Sequence, residues 1–248
     1  MSKCLIVTGG GRGIGAEVSR KAAKQGYSVC VNFHRDQTSA QKLVRELEKE
    51  GANALAYQAD VSREEEVETL FQTVEKDLGT PEALVNNAGI LDLQTRVDGM
   101  NAERIQRIFA VNVTGSFLCA REAVKRMSTK YGGTGGSIVN LSSGAAKYGS
   151  PGEYVDYAAS KAAIDTLTIG LAKEVAEEGI RVNAVRPGFI DTEIHQSGGE
   201  PDRMERVRPL VPMKRVGQAD EVADAIMWLL SDKASYTTGT ILDVSGGR

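Results

Sequence analysis

Histidine is nearly absent from this chain: His34 and His195 are the only two in 248 residues. A metal centre or a nucleophile triad built on imidazole is therefore short of parts. Cysteine is as scarce. Cys4, Cys30 and Cys119 are odd in number, scattered and without metal-ligand spacing, so they read as small buried hydrophobes. No apolar run is longer than a strand, far short of the roughly 20 residues needed to span a bilayer. Met1-Ser2-Lys3-Cys4 leads directly into a strand with no signal-peptide apolar region, which predicts a cytoplasmic protein. A formal net charge of −3 gives no reason to expect nucleic acid or an anionic membrane as partner, and leaves small molecules. No linker, repeat or shift in composition divides the chain. Its 41% hydrophobic and 25% charged residues suit a soluble globular protein, and residues 1–248 read as a single domain.

What is present is a regular alternation of short β-branched runs with helical stretches. Strands are expected at residues 4–8, 28–33, 53–58, 83–86, 137–141, 180–185 and 240–244. Helices are expected at 14–24, 37–49, 63–78, 102–127, from Tyr157 to about 178, and at 219–230. Glycine follows several of them, at Gly26, Gly51 and Gly79, as helix C-termini favour. Strict alternation implies parallel pairing through right-handed crossovers. The expected fold is α/β, one doubly wound sheet of about seven strands with helices on both faces. Residues 190–216, carrying Gly198-Gly199, Pro201, Pro209 and Pro212, fit neither pattern and are long enough to be a lid.

Two motifs carry chemistry. Tyr157 and Lys161 stand four residues apart, which places phenol and ammonium on one helix face. The cation stabilises phenolate and draws the tyrosine toward titration at working pH, making a general acid/base. The second motif is Thr8-Gly9-Gly10-Gly11-Arg12-Gly13-Ile14-Gly15, between a strand and a helix. There glycines let a pyrophosphate approach the backbone, and the helix N-terminus meets its charge. Two registers fit, Gly11-x-Gly13-x-x-Ala16 and Gly9-x-x-x-Gly13-x-Gly15.

Thr8-Gly-x-x-x-Gly-x-Gly15, Asn86-Asn87-Ala88-Gly89, Asn112, Ser142-Ser143, Tyr157-x-x-x-Lys161 and Pro187-Gly188 occur in the order and spacing of the short-chain dehydrogenase/reductase family, which the whole chain resembles. The resemblance implies a Rossmann-like domain, a nicotinamide cofactor, and a tetrad of Asn112, Ser143, Tyr157 and Lys161 for hydride transfer between cofactor and an alcohol or carbonyl. Tyr157 would exchange the proton, Lys161 would hold it ready and bind the nicotinamide ribose, the serine would orient the reacting oxygen, and Asn112 would support the lysine through water. Ser143 stands one residue further from the tyrosine than is usual in the family, and Ser142 two; Ser143 is preferred, with Ser142 read as a strand-end cap. The cofactor contacts implied are Gly9, Arg12, Gly13, Ile14 and Gly15 at the glycine turn, and His34 and Arg35 after the second strand. Asp60 and Val61 would meet the adenine, and Asn87, Ala88 and Gly89 the ribose. Pro187, Gly188, Ile190 and Thr192 would lie at the nicotinamide, beside Tyr157 and Lys161.

An acidic residue at the end of the second strand would grip the 2′-hydroxyl of NAD. This chain has Asn32-Phe33-His34-Arg35 there, with Asp36 beyond, so two guanidinium groups, Arg12 and Arg35, are set to flank the 2′-phosphate of NADP. Substrate is less legible. The lid's Phe189, Ile194, His195, Met204, Leu210, Val211 and Met213 single out no substrate class. The resemblance is strongest to the 3-oxoacyl-carrier reductase and sugar 1-dehydrogenase branch. Lys125, Arg126 and Lys130 offer a basic patch for an acidic carrier, or an ordinary helix end. A non-catalytic NADP-sensing or scaffold protein is the alternative of another class. The apolar helices at 105–127 and 157–178 predict a homotetramer with dihedral symmetry.

Overall fold

A computed structural model describes residues 3–192 and 203–248. Seven parallel strands, β1 (Cys4–Val7), β2 (Ser28–Phe33), β3 (Ala54–Gln58), β4 (Pro81–Asn86), β5 (Gly136–Leu141), β6 (Ile180–Pro187) and a C-terminal strand at Ile241–Val244, form one sheet. Its spatial order is β3-β2-β1-β4-β5-β6 followed by the C-terminal strand. The chain winds outward from β1 to β3, then returns to lay β4 on the other side of β1, so the direction of winding reverses between β1 and β4. Ligands of such sheets bind in the crevice that opens at this reversal, beyond the strands' carboxyl ends.

Alternation along the strands builds two cores. Leu5 and Val7 face one layer, with Val18 and Ala22 of α1 (Gly13–Lys24), Leu43 and Leu47 of α2 (Gln37–Lys49), and Ile226 and Leu230 of the helix at Ala219–Leu230. Cys4 and Ile6 face the other, with Leu70 and Phe71 of α3 (Glu64–Asp77) and Cys119 and Ala123 of α5 (Gly115–Met127). The three cysteines are buried and unpaired, and burial pushes their thiols up, out of reactive range.

The long helix expected at 102–127 is divided. α4 (Ala102–Phe109) passes through a single π-turn at Ala110–Thr114 into α5. The widened turn holds Asn112, whose side chain is bound to the backbone of Ile90, and Gly115 comes so close to Val61 that an added Cβ would lie 2.7 Å from it. A short helix, α6 (Ala145–Tyr148), fills the stretch before α7 (Val155–Val175), which carries Tyr157 in its first turn. Pro81 opens β4, a strand position that asks for no N–H.

The segment expected to be a lid is rooted at both ends. β7 (Ile190–Asp191) pairs in parallel with β8 (Gly217–Gln218), and between them lies α8 (Arg203–Val207), followed by α9 (Ala219–Leu230). Ile194 and His195 lie outside the described residues. The C-terminal strand of the sheet, Ile241–Val244, is β9.

Candidate active site

At the reversal the glycine turn adopts the second of its two registers. Gly9 and Gly13 have φ of +60° and +52°, where only glycine is unstrained. A Cβ on Gly15 would stand 2.6 Å from Asn87 Nδ2 and 2.7 Å from the Gly9 carbonyl. Gly11 packs instead on the backbone of Ala40, away from the crevice. Buried polar groups hold the turn in shape. Asn87 Nδ2 donates to the carbonyls of Thr8 and Gly9, each at 2.9 Å, and Thr8 Oγ1 accepts from the amides of Asn87 and Ala88. Asn32 Oδ1 accepts from Gly9 N while its amide donates to the Ala59 carbonyl at 3.0 Å, tying the turn to the ends of β2 and β3. Asn32 and Asn87 thus spend their hydrogen bonds on backbone geometry.

The end that holds Tyr157 and Lys161 is built by β5, the π-turn and α7. Lys161 is buried, its Nζ donates to the Leu141 carbonyl at 2.7 Å, and it lies 5.6 Å from the centroid of the Tyr157 ring. Burial draws its pKa down to about 8, partly opposed by the carboxylate of Asp165 one turn further along α7. Asp165 in turn pairs with Arg186 at 2.6 Å, which bonds Asp243, the partner of Lys147. Asn112 is buried behind the lysine: its Nδ2 donates to the Ile90 carbonyl and to Ser160 Oγ, and its Oδ1 accepts from Ile90 N at 2.8 Å. Gly89 separates the two. A Cβ there would meet Lys161 Nζ at 3.3 Å and Asn112 Oδ1 at 3.5 Å.

The serines divide their tasks. Ser142 Oγ donates to the Lys161 carbonyl at 3.2 Å, whereas Ser143 Oγ accepts from Ala145 N at 3.1 Å, so an oxygen lone pair rather than the hydroxyl proton of Ser143 is engaged. Tyr157 is set by its neighbour Asp156, which accepts from the Tyr157 amide and is clamped by Arg104 of α4 at 2.6 Å.

A cavity of about 340 Å³ opens onto these groups. Of the residues expected at the site, Ile14, Asn87, Gly89, Ser143, Tyr157, Lys161, Pro187, Gly188, Ile190 and Thr192 line it, and so does Ser142. Asn112 does not reach it. At the far end of the crevice, Arg12, His34 and Arg35 are exposed. Val61 is buried in the core beneath Gly115, which leaves little of its side chain for an adenine. Asp60 is taken up by Ser62, which donates to it at 2.7 Å, and by His34 at 3.7 Å; burial raises its pKa, but those partners more than offset this and hold it below the usual range.

Sequence reasoning missed a wall of this cavity. Tyr148, Tyr154, Glu153, Arg206 and Arg248 line it along with Phe189 and Leu210. They come from four separate stretches of chain, and no spacing joins them. Of the other expected lid residues, Val211 is buried and Met213 is exposed to solvent. Lys125 and Arg126 pair with Glu122 at 2.7 and 2.8 Å, at the end of α5 that leads into the start of β5. That edge of the sheet is opposite the strand ends where the cavity lies, so they form no basic patch beside it. Among the described residues no group of three or more His, Cys, Asp or Glu is placed to hold a metal.

The family model described as enoyl-(acyl carrier protein) reductase matches residues 9–248. The chain belongs to the short-chain dehydrogenase/reductase family. Among its relatives, the uncharacterised oxidoreductase YgfF of Escherichia coli K12 is 56% identical over 243 residues, 98% of each chain. The 3β-hydroxysteroid dehydrogenase 1 of Eggerthella lenta is 40% identical over 246 residues, covering 99% of this chain and 93% of that one. Glucose 1-dehydrogenase 2 of Bacillus subtilis is 37% identical over 245 residues, with 99% and 94% covered. This short-chain dehydrogenase/reductase is accordingly a nicotinamide-dependent oxidoreductase acting on alcohol and carbonyl groups. Among its described residues, no helix is long and apolar enough to cross a membrane.

Proposed function

We propose that this enzyme uses NADP(H) to interconvert a small ketone and its alcohol, with Tyr157 as general acid/base. The observation that carries the reading is the buried Lys161 ammonium against the face of Tyr157, at the floor of a cavity that Ser143 also lines. A nicotinamide held there would supply or accept the hydride. The chain's own groups handle the charge that follows. In the reductive direction Tyr157 donates its proton to the substrate oxygen, Ser143 donates a hydrogen bond to that oxygen, and Lys161 stabilises the phenolate left behind. Asn112 holds the loop through Ile90 and so fixes the space beside Lys161.

The glycine turn suits a dinucleotide's pyrophosphate: Gly9, Gly13 and Gly15 leave no side chain between it and the amides that open α1. Arg12, His34 and Arg35 are assigned to the 2′-phosphate. Asp36, the first carboxylate in the chain after β2, is engaged. It caps α2 by accepting from Ser39 N at 3.0 Å, and that bond, with the Arg12 guanidinium nearby, holds it below the usual carboxylate range. Asp60 and Val61 are assigned to the adenine edge, Asn87, Ala88 and Gly89 to the ribose, and Pro187, Gly188, Ile190 and Thr192 to the nicotinamide.

The walls formed by Leu91, Tyr148, Tyr154, Phe189, Val207 and Leu210 favour a substrate with an apolar body over an aldose, which would need many hydrogen-bonding partners. Residues 190–216 are assigned the role of lid, hinged at the β7–β8 pair. Three unpaired thiols suit a reducing compartment, and the cytoplasm is the location proposed. Exposed apolar side chains on α4, α5 and α7 support a homotetramer. The deciding assay measures reduction of ketones and 3-oxoacyl thioesters with NADPH and NADH, and oxidation of aldoses with NADP+ and NAD+. Reduction of ketones with NADPH supports the reading, and oxidation of aldoses in preference, or preference for NADH, overturns it.

A further inference from the structure

Arg248 occupies a built position in the substrate end of the cavity that neither the tetrad nor the cofactor contacts use. Its guanidinium lies 4.5 Å from the centroid of Phe189 and 4.9 Å from that of Tyr148, and all three residues line the cavity. Its Nη1 is buried and has no hydrogen-bond partner among the described residues. A buried charged donor left unpaired carries a desolvation penalty that an acceptor brought by a ligand would relieve.

The backbone takes trouble to deliver it. Gly246 and Gly247 have φ of +64° and +91°, a run that turns the chain back after β9. The turn is pinned by Met213 N donating to the Gly246 carbonyl at 3.1 Å and by Ser245 Oγ donating to the Arg248 carbonyl at 2.7 Å. A Cβ on Gly246 would stand 2.8 Å from Val211, so the turn also packs tightly under the lid segment. Cation–π contact with the two rings holds the guanidinium in place at the cavity wall. Charge points the same way. Among the described side chains lining the cavity, Lys161, Arg206 and Arg248 are cationic and Glu153 is the one carboxylate, paired with Arg206 at 3.2 Å.

We propose that Arg248 is a specificity-determining residue that binds a carboxylate carried by the substrate, so that the preferred substrates are oxoacids and the corresponding hydroxyacids. The proposal rests on the oxidoreductase reading and deepens it. The carboxylate accepts a charge-assisted hydrogen bond from Nη1, while the carbonyl at the other end of the substrate meets Tyr157 and Ser143.

The test compares 2-oxo-, 3-oxo- and 4-oxopentanoate with their methyl esters, in the wild type, Arg248→Ala and Arg248→Lys, with cofactor affinity measured in parallel by NADPH fluorescence. The wild type should prefer at least one acid over its ester. Arg248→Ala should lower that kcat/KM ratio by about 10- to 100-fold, the usual worth of a charged hydrogen bond. Arg248→Lys should restore part of it, as a point charge without the fork. Equal losses for acid and ester overturn the proposal, as does a wild type that prefers esters. A fall in NADPH affinity as large as the change in ratio also overturns it, since the anion bound would then be the cofactor's phosphate. If the wild type turns over none of the six compounds, titration calorimetry of the enzyme–NADPH complex with the acids still decides: binding that Arg248→Ala abolishes upholds the anion site, and none overturns it. Failure on every carbonyl in the wider assay is a different result, and counts against the oxidoreductase reading itself.

Discussion

Lys161 is a buried cation 5.6 Å from the centroid of the Tyr157 ring. Lys161 retains its proton at neutral pH because its lowered pKa, about 8, still lies above it. Tyr157→Phe should leave folding and NADPH binding intact while turnover falls by roughly 10²- to 10⁴-fold, the range for loss of a general acid/base. Steady-state kinetics with the best ketone checks this, and unchanged turnover removes Tyr157 from the mechanism. Ser143→Ala should cost more turnover than Ser142→Ala, because Ser142 Oγ is spent on the Lys161 carbonyl. The reverse order would make Ser142 the catalytic serine.

The same lysine leaves a mark on stability. Its folded pKa is depressed from 10.5 to about 8, so between those values the unfolded chain holds the extra proton. Stability contributed by this site therefore rises with pH through that window, and the full cost of burying the ammonium is borne below pH 8. Relative to Lys161→Met, the wild type should gain on the order of 2 to 3 kcal/mol between pH 8 and 10 in urea unfolding. Parallel pH profiles for the two proteins would show that Lys161 titrates as an ordinary lysine.

At the scale of elements, the glycine turn and the end of β2 act together. Asn32 bonds Gly9, and Asp36, just past β2, caps α2. Replacing Arg12 and Arg35 with Ala should weaken NADPH binding by a few kcal/mol at most, with NADH affinity little changed. Equal losses for both nucleotides, measured by fluorescence titration, would sink the 2′-phosphate assignment. Gly15→Ala should weaken both equally, because its Cβ collides with Asn87 Nδ2 and the Gly9 carbonyl and forces the turn apart.

At the scale of the whole molecule, α4, α5 and α7 each present one large apolar side chain to solvent. Ile105, Phe117 and Ile169 are 38%, 50% and 40% exposed, and Trp228 and Tyr236, outside those helices, are 41% and fully exposed. Two such separate faces are what a dihedral tetramer requires. Light scattering at micromolar concentration should give four times the 26.5 kDa chain mass, and Phe117→Glu should shift it to a smaller species. A monomer from the wild type would mean that these faces need no partner.

What the sequence by itself determined is local and repetitive. Strand and helix alternation follows from hydrophobic period, and helix ends from glycine, so the seven strands and most helices fall where the residues place them. The Tyr157–Lys161 spacing and the glycine turn are equally local, and they were legible for that reason. Other features were decided by contacts between distant segments. The π-turn at Asn112 exists because its side chain binds Ile90, the choice of glycine register because Gly15 packs against Asn87, and the removal of Lys125 and Arg126 from the cavity because β5 begins at the opposite edge. The wall of Tyr148, Phe189 and Arg248 is the clearest case. Its members are brought together only when β6 and β9 pair and the chain turns back after them, and a pattern read along one dimension holds no trace of a contact made across the other two.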